Sequence, residues 1–183
     1  MTKIVAGVDS STQSVKVVLR NADSGELIAH ASRPHPDGTE VNPHEWKRAL
    51  DSALDEVSKY KIDAISIGGQ QHGMVALDAN GAVIRDALLW NDTRSDKAAI
   101  ALNEEIPDIH LRTGSQLVAS FTASKVRWLA DHEKANADKV AAIALPHDWL
   151  SWQLGGATRL ESLFTDRSDA SGTGYFDSVT NDY

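Results

Sequence analysis

Residues 3–20 read "KIVAGVDSSTQSVKVVLR", and the reading of this stretch decides the fold. Its first six residues are a short apolar run, the pattern of a buried strand. A carboxylate and three hydroxyls follow, Asp9, Ser10, Ser11 and Thr12, and "SVKVVLR" then alternates. Val15, Val17 and Leu19 fall on one face of that second segment and Lys16, Val18 and Arg20 on the other. Two strands joined by a short polar turn are expected here. A third follows the turn "NADSGE", at "ELIAHAS" (26–32).

Beyond these strands, "RPHPDGTEVNP" (33–43) reads as a loop, and a helix is expected from Asn42. Asn42 suits a helix cap, Pro43 the first helical position, and Glu45 lies three residues past the cap. Trp46, Leu50, Ala53, Leu54 and Val57 then recur at helical spacing, which predicts one buried face. "IDAISIGG" (62–69) returns as a strand, and Asn80-Gly81 inside "MVALDANGAVI" (74–84) is a two-residue hairpin signal. Helices are expected over about 95–105 and 123–137, the second with Val126, Leu129 and Ala130 as its stripe. "KVAAIAL" (139–145) reads as a buried strand and "PHDWLSWQLGG" (146–156) as a short helix stopped by glycines. The class is α/β, mixing antiparallel hairpins with strand–helix–strand units.

Bulk properties narrow the function. The chain has 183 residues, 42% of them apolar, enough for a core. Twenty-six acidic against eighteen basic residues give a net charge of −8, so nucleic acid and anionic membrane are not expected partners. No apolar run approaches the roughly 20 residues that span a bilayer, and the first residues turn polar too soon for a signal peptide. Cysteine is absent, which excludes disulfides and thiolate chemistry. A cytoplasmic protein is expected. The last stretch, "TDRSDASGTGYFDSVTNDY" (165–183), joins polar residues to three aromatics and reads as though the chain should continue.

Four short segments carry groups suited to chemistry. The turn Asp9–Thr12 offers backbone N–H groups and hydroxyls for phosphate oxygens, with Asp9 able to hold Mg²⁺ through water. The same residues also suit an aspartate that caps its own turn, and no Walker motif accompanies them. In "GQQHG" (69–73), Gln71 supplies donor and acceptor, His72 adds two ring nitrogens, and the glycines admit a ligand close to the backbone. That set fits a polyhydroxylated ligand, and equally a polar loop between strands. In "LLWNDTR" (88–94), Trp90 beside Asn91 and Asp92 makes a sugar platform, or a core tryptophan with Asp92 capping the next helix. "SDASGT" (168–173) reads locally as a solvated turn, and Trp149 and Trp152 as core. The remaining histidines show no HxH or HExxH spacing, so a metal cluster is not expected of them.

Taken together and in this order, the segments resemble the N-terminal domain of the FGGY carbohydrate kinases. The resemblance runs from "GVDSSTQSVKVVL" through "GGQQHG", "LLWNDTR", "TGS…FTASKVRWL" and "LPHDWLSWQLGG" to "TDRSDASGTGYFD". It implies the ribonuclease-H-like fold of the actin/hexokinase/sugar-kinase ATPases, a mixed sheet flanked by helices. "QHG" followed by "WNDTR" points to the branch acting on D-xylulose, with ATP and Mg²⁺ as cosubstrate and cofactor. Ribulose, fucose or gluconate kinases are the alternatives within the family, and a non-catalytic sugar-binding or actin-like module the alternative outside it. Carried over by residue, Asp9 with Ser10, Ser11 and Thr12 corresponds to the phosphate side, where Asp9 is the nearest group to the chemistry. Gln71, His72 and the backbone of Gly73 correspond to the sugar-binding segment. Trp90 and Asn91 wall the pocket, and Asp166 with residues 168–173 borders it. Ser11 stands where the family's "D-x-G-T" turn has glycine, which implies a differently shaped loop. The resemblance further implies that residues 1–183 are the sugar-binding part alone. The general-base aspartate and the nucleotide-binding domain are expected downstream, and homodimers are expected of the family.

Overall fold

The computed structural model describes residues 2–157 and 159–183. The chain opens with β1 (Ile4–Ser10), β2 (Ser14–Asn21) and β3 (Leu27–Pro34), an antiparallel meander. Val15, Val17 and Leu19 are all fully buried, as their alternation predicts. β4 (Glu40–Val41) is a two-residue strand that the loop composition conceals. Helix α1 (Pro43–Glu56) starts where expected, with the Asn42 side chain accepting a hydrogen bond from the N–H of His44 at 3.0 Å. Its apolar stripe, led by Trp46 and Leu50, packs onto the meander.

After α1 the chain returns as β5 (Ala64–Gly69), which pairs with β1 in parallel and completes a sheet of order β3-β2-β1-β5. This mixed sheet and its crossover helix are the strand–helix–strand unit the sequence implies. β5 is the sheet edge, and Ile65 on it is exposed. β6 (Val75–Leu77) follows, and the Asn80-Gly81 turn closes with Gly81 at φ +78° and the Asp78 carboxylate accepting from the N–H groups of Asn80 and Ala82. The expected hairpin is only partly formed. Leu77 bridges Val83, but the strand partner of β6 is β8 (Ala142–Ala144), 65 or more residues away. β7 (Ala87–Leu88) pairs with β4.

The helical half holds α2 (Asp96–Glu105), α3 (Ile109–Thr113), α4 (Thr122–His132), α5 (Lys134–Ala137), α6 (Pro146–Leu154) and α7 (Arg167–Ala170). The helix expected over 123–137 breaks at Glu133, whose φ of −129° and ψ of 55° leave the helical region. α6 carries Trp149 and Trp152 into the main core, as expected. Among the described residues no helix is long and apolar enough to cross a membrane.

Candidate functional site

Because β1 and β5 run parallel, their C-terminal ends lie side by side, Ser10 opposite Gly69. The turn Ser11–Gln13 after β1 and the loop Gln70–Gly73 after β5 therefore emerge at the same sheet edge. Gly69 is required there: a Cβ on it would stand 2.6 Å from the Ser10 carbonyl oxygen and 3.4 Å from Cβ of His147. The indole Nε1 of Trp90 donates to Thr12 Oγ1 at 2.9 Å, which brings the third motif to the same edge. Ser11, Thr12, Gly69, Gln70, Gln71, His72 and Trp90 line a cleft of about 300 Å³. A larger cavity of about 490 Å³ lies beside the β5 edge and α6, but none of the four segments lines it; Asp166, just ahead of the fourth, does.

The side chains fall into distinct places. Asp9 is exposed at the strand end and accepts from Ser11 Oγ at 2.5 Å. Ser10 is turned inward, with its Oγ buried and unpartnered, and does not line the cleft. Ser11 does not adopt a positive φ, so a side chain is accommodated where the family pattern has glycine. The carbonyl of Ser11 faces His35 Nδ1 at 2.9 Å. Burial lowers the His35 pKa, and because a carbonyl oxygen only accepts, Nδ1 is the protonated nitrogen that donates to it.

His72 has φ +64°, and the N–H of Gly73 donates to the Gln71 carbonyl at 2.8 Å across it. A tight three-residue turn of this kind is strained for a residue with a side chain. It is held by Thr122 Oγ1, which donates to the His72 carbonyl at 3.2 Å, and by Phe121, whose ring centroid lies 5.1 Å away. Burial lowers the pKa of the His72 imidazole, and the charge of Lys125 adds to the effect. Nδ1 is buried against Gly172, so Nε2 is the nitrogen left for a ligand hydroxyl, as donor or acceptor according to the tautomer. Gly73 packs against Pro146, where a Cβ would meet Cγ at 2.5 Å. Trp90 is 48% exposed and forms the outer wall, so it is not core. Asn91 is half-buried, its Oδ1 without a partner. Asp92 is structural: it accepts from Thr39 Oγ1 at 2.7 Å and from the N–H and Nε of Arg94 at 3.0 and 2.8 Å.

Two features were not foreseen from the sequence. Gln70 is 7% exposed, yet both its amide atoms lack partners while it lines the cleft. An orphaned buried amide is costly, so Gln70 joins Gln71 as a candidate contact. The second is a cluster at the start of α6. His147 Nε2 lies 2.8 Å from Asp169 Oδ2, 3.0 Å from Asp148 Oδ1 and 3.6 Å from Asp166 Oδ2. Burial pushes the His147 pKa down, but the bond to Asp148 and the three carboxylate charges outweigh it and the net shift is upward. The imidazolium thus serves as counter-ion to the acidic groups. "SDASGT" is therefore no solvated turn: Asp169 and Ala170 are covered, and Thr173 is buried.

A mixed sheet of order β3-β2-β1-β5 with a polar cleft at its C-terminal end fits the actin/hexokinase ATPase fold of the sugar kinases. The chain belongs to the FGGY family of carbohydrate kinases, whose N-terminal domain matches residues 4–183. The xylulose kinase of Streptomyces coelicolor is 43% identical, over 98% of this chain and 38% of that protein. That of Arthrobacter sp. is 62% identical over 50% of this chain and 97% of that sequence. The crystal structure of the xylulose kinase from Bifidobacterium adolescentis superposes with a TM-score of 0.96 at 44% identity, covering all of this chain and 41% of that one. The chain thus spans about 38% of the length of the Streptomyces relative.

Proposed function

We propose that this chain is the sugar-binding domain of an ATP-dependent D-xylulose kinase, which transfers the γ-phosphoryl group to a terminal hydroxyl and yields xylulose 5-phosphate. The observation that carries the reading is the convergence of Ser11 and Thr12, Gln70–His72 and Trp90 on one cleft, with Asp9 beside it through its hydrogen bond from Ser11 Oγ. Identity of 43–44% to xylulose kinases across the chain supports the choice of sugar. Gln71 and His72 bind the ketose hydroxyls, the Gly73 backbone shapes the loop, and Trp90 and Asn91 wall the pocket. Asp9, exposed at the strand end beside the Ser11 and Thr12 hydroxyls, fits a hard cation held through water. Mg²⁺ bound there would offset charge on the β- and γ-phosphates.

Phosphoryl transfer rests on positioning and electrostatics more than on covalent chemistry by the protein. The neutral His72 and the paired amides orient the sugar, and the Asp9 turn faces the phosphates. We place the general base and the nucleotide domain outside residues 1–183, the reaction in the cytoplasm, and the working enzyme as a homodimer. Residues 1–183 alone are then without useful kinase activity.

ADP release by the protein in its complete reading frame, measured on a panel of xylulose, ribulose, fucose, gluconate and glycerol, tests the reading. The expected result is a kcat/KM for D-xylulose at least about tenfold above any other sugar, the selectivity about 1.4 kcal/mol confers. Preference for another sugar, or no turnover of any, overturns it.

A further inference from the structure

The segment Asp166–Thr173 forms the back of the Gln70–Gly73 loop, although the two are far apart in sequence. Its contacts with that loop are specific. At Gly172 an added Cβ would stand 2.3 Å from His72 Cε1 and 2.7 Å from Nδ1, so the imidazole rests directly on this glycine. The Gln71 side chain approaches the Asp169 carboxylate and draws its pKa down, against the larger upward push of burial. Asp169 is in turn held from below by His147, 3% exposed, at 2.8 Å. Asp166 fixes the start of α7 by accepting from the N–H of Asp169 at 3.0 Å. The far end is tied too: the N–H of Ala123 donates to the Thr173 carbonyl at 2.8 Å, next to the Thr122 hydroxyl that holds His72.

We propose that Asp169 and Gly172 are positioning residues for the sugar site. Asp169, anchored by His147, fixes the side-chain amide of Gln71, and Gly172 is the seat for the ring of His72. The inference rests on the reading of the Gln71–His72 loop as a ketose site. An amide that commits one N–H to Asp169 keeps its carbonyl and its other N–H for the sugar, in one orientation rather than two. The His72 ring packs against Phe121, and the missing Cβ at residue 172 leaves it room to rest on the backbone there. Moving a Cβ from 2.3 Å to ordinary contact at 3.4 Å requires the ring to shift by about 1 Å, and misplacement on that scale costs up to about 10²-fold in rate.

Two double-mutant cycles in the full-length enzyme test this, each with KM and kcat for D-xylulose, KM for ATP, and Tm. One pairs Gly172→Ala with His72→Ala, the other Asp169→Asn with Gln71→Ala. Each of Gly172→Ala and Asp169→Asn is expected to lower kcat/KM for the sugar by about 10- to 100-fold and to change the ATP KM less than about twofold. In the His72→Ala and Gln71→Ala backgrounds these further losses should shrink below about threefold, because the side chain being positioned is gone. Additive losses, or sugar and ATP constants failing together with a lowered Tm, would show a merely structural role and overturn the proposal. If Gly172→Ala does not fold, the Asp169–Gln71 cycle decides alone. A wild-type enzyme that prefers another sugar refutes the xylulose assignment and moves both cycles to that sugar, where the same two results apply. One that turns over no sugar overturns both readings.

Discussion

His147 shows how a single residue can carry more than its sequence context suggests. The proton it holds is stabilised by Asp148, Asp169 and Asp166 against the penalty of burial, so its pKa is higher folded than unfolded. A raised pKa contributes stability that is fully present below the unfolded value of about 6.5 and is lost as pH rises through the folded one. Denaturant melts from pH 5 to 9 should therefore show stability falling above about pH 6.5. His147→Lys, which keeps its charge to about pH 10, should flatten that fall. His147→Leu should cost about 3 kcal/mol at pH 6, because it leaves buried carboxylates uncompensated. A pH profile unchanged by His147→Lys would show that the imidazole is not the counter-ion.

At the scale of elements, the helix α1 and the loop after β5 carry separable predictions. Asn42→Ala removes the side-chain acceptor for the N–H of His44 and should lower stability by about 1 kcal/mol in urea titration, with kinetics untouched. Gly73→Ala drives a methyl to 2.5 Å from the Pro146 ring; overpacking of this kind costs about 1–3 kcal/mol, and the loop bearing His72 should shift with it, so stability and sugar KM should both suffer. Normal stability and KM in Gly73→Ala would mean that α6 yields readily.

What could be read from the sequence follows the range of the interactions. β2 announced itself because alternation is local, and α1 because Asn42-Pro43 and the Trp46–Leu50 spacing are local. The partner of β6 was hidden because Leu77–Ala142 pairing spans 65 residues, while the nearer Asn80-Gly81 turn suggested a simple hairpin. β4, two residues inside a Pro/Gly-rich loop, has too little pattern to show. Asp9, Gln71, His72 and Trp90 stand out by chemistry, but the meeting of Gln71, His72 and Trp90 with the turn after Asp9 in one cleft depends on the parallel β1–β5 pairing. Gln70 and the His147 cluster were missed because only burial and spatial proximity single them out.

At the scale of the whole molecule, the parallel β1–β5 pairing sets the Asp9–Thr12 turn beside the Gln70–Gly73 loop. Phosphoryl transfer needs water kept from the transferred group, and on the proposed function a second domain outside residues 1–183 would close over the sugar to supply this. Residues 1–183, produced alone, should therefore release ADP no faster with D-xylulose than without it, while the full-length enzyme responds strongly. Xylulose-stimulated ADP release by the isolated domain would contradict the division of labour between domains.

On the proposed function, the Gln71–His72 loop reads a ketose for a kinase. Its most direct test is steady-state ADP release by the full-length His72→Ala enzyme, with D-xylulose and ATP varied in turn. The account predicts a fall in kcat/KM for the sugar of about 10²-fold, with KM for ATP and Tm near those of the wild type. Equal losses toward sugar and ATP, or no loss at all, would contradict it.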